Sequence, residues 1–199
     1  MLTTYTELKS DIATYLHRSD LTDVIPAFIS LAQKRIVRDL IQRGGHAKLE
    51  SSSSITPTAN VATLPTDFES IRSLVTGDSS PVRIQAVPLD VLNASYSVAG
   101  TGHAYTKDGD TIILSPDAGD STVTLYYYKK PSDMGVSVAT NELYPDLSDL
   151  YLYASLIEGC MYIQTDPTVW ASAYSNAMDS VIKTNRVSAW ANGMSVRAA

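Results

Sequence analysis

The chain has 199 residues, 44% of them hydrophobic and only 18% charged, and its 15 basic and 21 acidic side chains give a net charge of −6. That length suits one domain, or one domain with an insertion, and low charge at ordinary hydrophobicity argues against intrinsic disorder. No run approaches ~18 consecutive apolar residues, the opening MLTTYTELKSDI does not read as a secretory signal, and a single cysteine, Cys160, excludes an internal disulfide framework or a cysteine-based zinc cluster.

Residues 3–17 predict a helix, because Tyr5, Leu8, Ile12 and Tyr15 recur at three- and four-residue steps. Residues 19–23 are a cluster of N-cap formers, and a second helix follows over about 22–43 with Ile25, Ile29, Ala32, Ile36 and Leu40 as its apolar stripe. Pro26 fits its first turn, and Gly44-Gly45 stops it. Residues 46–130 change character: Thr, Val, Ile and Ser dominate and long helical periods vanish. Short strands are predicted at 61–64, 70–75 and 82–84, a short helix at 89–96, and a hairpin with Asp108-Gly109 between 103–105 and 111–114. Residues 122–130, TVTLYYYKK, make the clearest strand.

Helical periodicity returns with Leu147, Leu150, Ala154, Ile157 and Met161. Tyr153, Leu156, Cys160 and Ile163 line a second apolar face, which predicts a helix over 146–165 buried on two sides. Asp166-Pro167 is a restart signal, and Trp170, Tyr174, Ala177 and Val181 carry a last helix to about residue 185. The tail, SAWANGMSVRAA, is aperiodic and reads as an arm or a frayed end. The expected fold class is α+β: a four-helix bundle core from 1–45 and 140–186, an inserted β-rich segment at 46–130 and an extended C-terminal arm at 187–199.

Signatures of catalysis are missing. There is no G-x-S-x-G, no phosphate-binding loop motif, no dinucleotide fingerprint and no H-E-x-x-H. His17, His46 and His103 fit no metal-ligand spacing and read as solvated or capping imidazoles. Asp108, Asp110, Asp117 and Asp120 lack the fixed positions of a calcium loop and read as turn residues. Cys160, mid-helix with no base beside it, reads as a small core hydrophobe, and Asn93-Ala94-Ser95 is a sequon with nothing to support it. No catalytic residue, cofactor site or metal site is predicted.

Charge is unevenly placed. From residue 131 to 182 there is no Lys or Arg, while Asp133, Glu142, Asp146, Asp149, Glu158, Asp166 and Asp179 all fall there, so that half of the chain is unsuited to gripping phosphates. Tyr126, Tyr127 and Tyr128 with Lys129 and Lys130 admit two readings. One is a stacking platform for single-stranded nucleic acid. The other, which is favoured, is a strand with aromatics on both faces, covered on one side by its sheet and on the other by a neighbour.

The order of segments resembles the head-to-tail adaptor (connector) proteins of tailed bacteriophages. The resemblance is carried by TYTELKSDIATYLHRSDLTDVIPAFISLAQKRIVRDL, LPTDFESIRSL, DGDTIILSPDAGDSTVTLYYYKKP and NELYPDLSDLYLYASLIEGCMYI, spanning about residues 3–185. Gly102-His103-Ala104 departs from it where a proline-containing lead into the hairpin would be expected. The resemblance implies a structural virion protein at the head–tail junction, made in the host bacterial cytoplasm. It also implies a homo-oligomeric ring, commonly of twelve subunits, that stacks beneath the portal protein and meets tail or nozzle proteins. Double-stranded DNA would pass through without specific binding, with no membrane, no cofactor and no enzymatic step. Against that background Val187, Trp190, Met194, Val196 and Arg197 are expected to bind the portal, and Tyr126, Tyr128, Lys129 and Lys130 to contact subunits or the tail. Glu142, Asp146 and Asp149 are expected to line the channel. Competing readings are a β-rich carbohydrate or peptide binder on a helical stalk, a hydrolase with a dispersed carboxylate pair, and a DNA-binding factor, the last disfavoured by net charge.

Overall fold

In the computed structural model, residues 3–77, 80–100, 102–116 and 121–193 are described, with side chains as far as residue 185. The chain forms two compact units, residues 1–49 with 131–199, and residues 50–130.

The first unit holds α1 (Tyr5–Tyr15), α2 (Ile25–Gln42), α4 (Tyr144–Tyr162) and α5 (Thr168–Gly193). A capping box starts α1. The Thr4 hydroxyl accepts from the Glu7 amide, and the Glu7 carboxylate accepts from the backbone of Thr3 and Thr4 and from the Thr3 hydroxyl. Those bonds, the one from the Thr3 hydroxyl first, hold the Glu7 carboxyl below its ordinary pKa. Gly44 and Gly45 end α2 at φ 113° and 82°, a left-handed exit that a side chain would oppose.

The centre of this unit is α4. From Leu150 to Cys160 all but two of its residues are buried, so no flank of the helix is polar enough to face water. Helices α1, α2 and α5 each lie against it. Gly159 lets α1 come close: a Cβ there would sit 2.7 Å from Leu16 Cδ1. Buried polar groups fix the approach to α4. The Asn141 side-chain oxygen accepts from the amides of Leu143 and Tyr144, and its amide nitrogen donates to Gln33 Oε1, Ser132 O and the Tyr151 hydroxyl. Gln33 Nε2 in turn donates to Pro131 O, Ser132 O and Asp133 Oδ1. Every polar atom of the two amides thus has a partner, as burial requires.

The second unit is a seven-stranded sheet in the order β1-β7-β3-β4-β5-β6-β2, with β1 Glu50–Ile55, β2 Val61–Thr63, β3 Phe68–Thr76, β4 Arg83–Ala86, β5 Ala104–Asp108, β6 Thr111–Leu114 and β7 Val123–Lys129. Strand β4 divides its pairing. Ile84 and Arg83 face β3 antiparallel, whereas Gln85 and Ala86 face β5 in parallel, across the short helix α3 (Leu89–Ser95). The sheet curls about one apolar core that includes Leu74, Ile84, Tyr105, Ile112, Leu114, Val123, Leu125 and Tyr127.

The four-helix bundle expected from the sequence is corrected here. Among the described residues there are five helices and a seven-stranded curled sheet, a mixed α+β fold in which the sheet supplies a core of its own. The physical reason is that the β segment has enough inward apolar residues to close on itself. The helices do not share one central seam; they lean on α4.

Two outcomes follow for stability. At Gly77 a Cβ would lie 2.4 Å from the Thr122 carbonyl oxygen, so Gly77→Ala should cost about 1–3 kcal/mol by urea unfolding. Gly135→Ala, with nothing near its Cβ, should stay within about 0.5 kcal/mol. The second concerns alkali. Burial raises the hydroxyl pKa of Tyr144 to about 12 and pushes those of Tyr151 and Tyr174 higher still. Their protonated forms favour the folded chain. That contribution is whole below the unfolded value near 10, and it is lost as pH climbs through the folded values. Ultraviolet titration should show these tyrosines ionising only together with loss of circular dichroism.

Candidate interaction surfaces

Strand β7 alternates strictly. Val123, Leu125 and Tyr127 enter the sheet core, and the Tyr127 hydroxyl donates to Asp67 Oδ1 at 2.9 Å. Thr124, Tyr126 and Tyr128 take the opposite face, where Tyr126 is 40% exposed and Tyr128 half-buried. The register sets Ser52 and Ser73 beside Tyr126, and Glu50 and Ser70 beside Tyr128. Arg72, at a register shift in β3, reaches across to Glu50 at 2.7 Å. Desolvation raises the Tyr128 pKa, with Arg72 pulling weakly the other way. The outer face is therefore a Ser/Tyr surface whose central charges neutralise each other. Lys129 is half-buried at the end of β7, and Lys130 lies 4.0 Å from Glu69.

The acidic run is less bare than its sequence implies. Asp146 pairs with Lys48 at 2.6 Å, Asp179 with Arg43 at 2.5 Å, and Glu158 with Arg35, all cations from the first fifty residues. Glu142 accepts from the Ser132 amide, and exposed Asp149 accepts from the amide of Leu150. Exposed Asp166 caps α5 through the Thr168 amide and hydroxyl, bonds that lower its pKa, the hydroxyl one most.

A surface cavity of about 460 Å³ in the helical unit is lined by His46, Lys48, Asp146, Ser180 and Thr184 among others. Its one carboxylate is the Asp146 already held by Lys48, which leaves no second acid there to share acid–base work. The His46 Nδ1 accepts from the Lys48 amide. His17 is exposed with φ 53° where α1 ends, and His103 is half-buried with its Nδ1 unbonded, unlike the solvated imidazole expected. Among the described residues no three His, Cys, Asp or Glu side chains gather as a metal site, and no helix is long and apolar enough to cross a membrane. Asp117 and Asp120 lie outside the described residues.

Of the expected portal-binding residues, Met194, Val196 and Arg197 lie outside the described residues. Val187 and Trp190 fall in α5, whose backbone stays helical to Gly193, eight residues beyond the predicted end; their side chains are not described.

One surface escaped sequence reasoning. Tyr15, placed on an apolar stripe, is 50% exposed and meets Trp170 edge-on at 5.6 Å, while Tyr153 stacks on the same indole at 6.3 Å. Met161, also assigned to the core, is exposed. The sequence signal was available in Val169-Trp170: two large apolar residues in the first turn of a helix capped by Asp166, where a first turn has few neighbours.

Tyr127→Ala should lower stability by about 3–5 kcal/mol, because it empties core volume and strips Asp67 of a donor. Tyr126→Ala should change it by less than about 1 kcal/mol. Chemical denaturation of the two variants checks the assignment of faces.

Among curated proteins nothing matches the chain. The family model described as SU10 adaptor protein matches residues 3–197, nearly the full length. The chain thus belongs to the SU10 adaptor protein family, a family of bacteriophage head-to-tail adaptors.

Proposed function

We propose that this chain is one subunit of a closed ring that stacks beneath the phage portal, prolongs the DNA channel and offers the tail a platform. The observation that carries it is the family match over residues 3–197. Three features support it. The helical unit and the sheet unit each leave large aromatic side chains exposed, which suits a protein made to be covered by neighbours. The return half of the chain, with no Lys or Arg from 131 to 182, suits a lining that DNA slides past; Glu142 is the acid assigned to it, while Asp146 pairs with Lys48 and Asp149 rims the aromatic patch of Tyr15, Tyr153 and Trp170. The Ser/Tyr face with Tyr126 and Tyr128, flanked by Lys129 and Lys130, is assigned to contact with the tail, since tyrosine offers broad amphipathic contact at little entropic cost.

The C-terminal residues Val187, Trp190, Met194, Val196 and Arg197 are assigned to the portal. Apolar residues such as Val187 and Trp190 on the last turns of α5 can seat in a partner's groove. Mixing the purified protein with portal rings and measuring particle mass is the test. A single species of portal plus a ring of adaptor subunits is the expected result, and two unchanged species would overturn the proposal. Removal of residues 194–199, which spares α5 to Gly193, should weaken capture by the portal about tenfold or more.

A further inference from the structure

The helical unit carries two patches of opposite character. The first is the outer strip of α2. Leu31 is 48% exposed there, Lys34 and Arg38 follow at one- and two-turn steps, and both are exposed. No carboxylate among the described residues lies within ion-pair distance of either cation; the neighbouring Arg35 is held by Glu158. The second patch is the aromatic trio Tyr15, Tyr153 and Trp170, with Val169, 70% exposed, preceding Trp170 in the first turn of α5. Its rim is acidic. Asp149 stands one turn before Tyr153 on α4, Asp166 one turn before Trp170, both are exposed, and neither is matched by a cation among the described residues. Arg18, just past the end of α1, is paired with Asp20 at 2.6 Å.

An apolar centre with a basic rim on one side and an aromatic centre with an acidic rim on another are complementary in apolar character and in sign of charge. Guanidinium and ammonium groups also bind aromatic faces directly. Two different patches on one chain cannot satisfy each other within it. They make a head-to-tail contact, and a head-to-tail contact repeated by rotation closes a ring. A DNA partner for the α2 strip is disfavoured, because two phosphate-binding cations are few and the second patch would repel the backbone.

We propose that the occupant of the aromatic patch is a second copy of this chain: Leu31, Lys34 and Arg38 of one copy seat against Tyr15, Tyr153 and Trp170 of the next. This rests on the ring reading above and names the surfaces that build the ring.

Cysteine pairing on adaptor assembled with its portal tests it. In a Cys160→Ala background, Leu31→Cys with Val169→Cys on one chain should give, on mild oxidation, a ladder of covalent oligomers from dimer upward. A mixture of the two single-cysteine chains should stop at dimer, and each single variant alone should give none. Both positions are exposed, so folding should survive, and circular dichroism verifies it. Independently, Lys34→Glu with Arg38→Glu should weaken assembly about tenfold or more, and Asp149→Lys in that background should recover part of the loss. A ring-sized particle without the 31–169 link overturns these surfaces and leaves the ring standing. A chain that stays single in the presence of portal overturns both. A lone variant that cross-links to itself overturns the head-to-tail arrangement in favour of a two-fold contact.

Discussion

The helical unit depends on covering α4. A helix whose residues 150–160 are apolar nearly all round is stable only when every flank is wrapped, and no basic residue on it offers a compromise with solvent. That requirement recruits α1 and α2 from the start of the chain and α5 from its end. It also explains the expense of buried hydrogen bonds at its threshold: Asn141 and Gln33 tie the segment 131–133 and the first turn of α4 together, so that the backbone groups of an unusual start are all satisfied. Leu147, with φ −124° and ψ 26°, marks where that first turn joins the straight remainder.

Much of the secondary structure was legible because period and punctuation agreed. Stripes at three- and four-residue steps located α1, α2 and α4, the Asp166-Pro167 pair located the start of α5, and β-branched and aromatic runs located β3 and β7. The hairpin signal at Asp108-Gly109 appears one residue later, since Asp108 still pairs with Thr111 and Gly109 takes φ 56° in the turn. Strand β1 was not legible. Its sequence, ESSSSI, has one apolar residue, and its place is set by the ladder to β7 rather than by a hydrophobic face. The bundle failed for a related reason. Periodicity gives the faces of each helix but not their partners, and two apolar faces on α4 fit a central helix as well as a bundle member.

The surfaces were legible in composition and not in exposure. The Tyr126 and Tyr128 face follows from strict alternation, and within the single chain Tyr126 stays open, as a face meant for a neighbour would. The acids of 131–182 stood out as a run, while the cations that quench Asp146, Glu158 and Asp179 arrive from more than ninety positions away. Tyr15 and Met161 look like core residues on a helical wheel. Only the crossing of three helices decides that they stand at its margin.

The helical unit is interrupted in sequence, and that has a consequence for how a nascent chain matures. Residues 50–130 are contiguous and can close as soon as β7 leaves the ribosome, since β7 pairs with both β1 and β3. Helices α1 and α2 have no such freedom. Arg35 waits for Glu158, 123 positions downstream, and the apolar stripe of α2 stays unsheltered until then. Synthesis therefore passes through an interval in which a finished sheet trails an unfinished, sticky amino terminus, and chaperone demand should concentrate there.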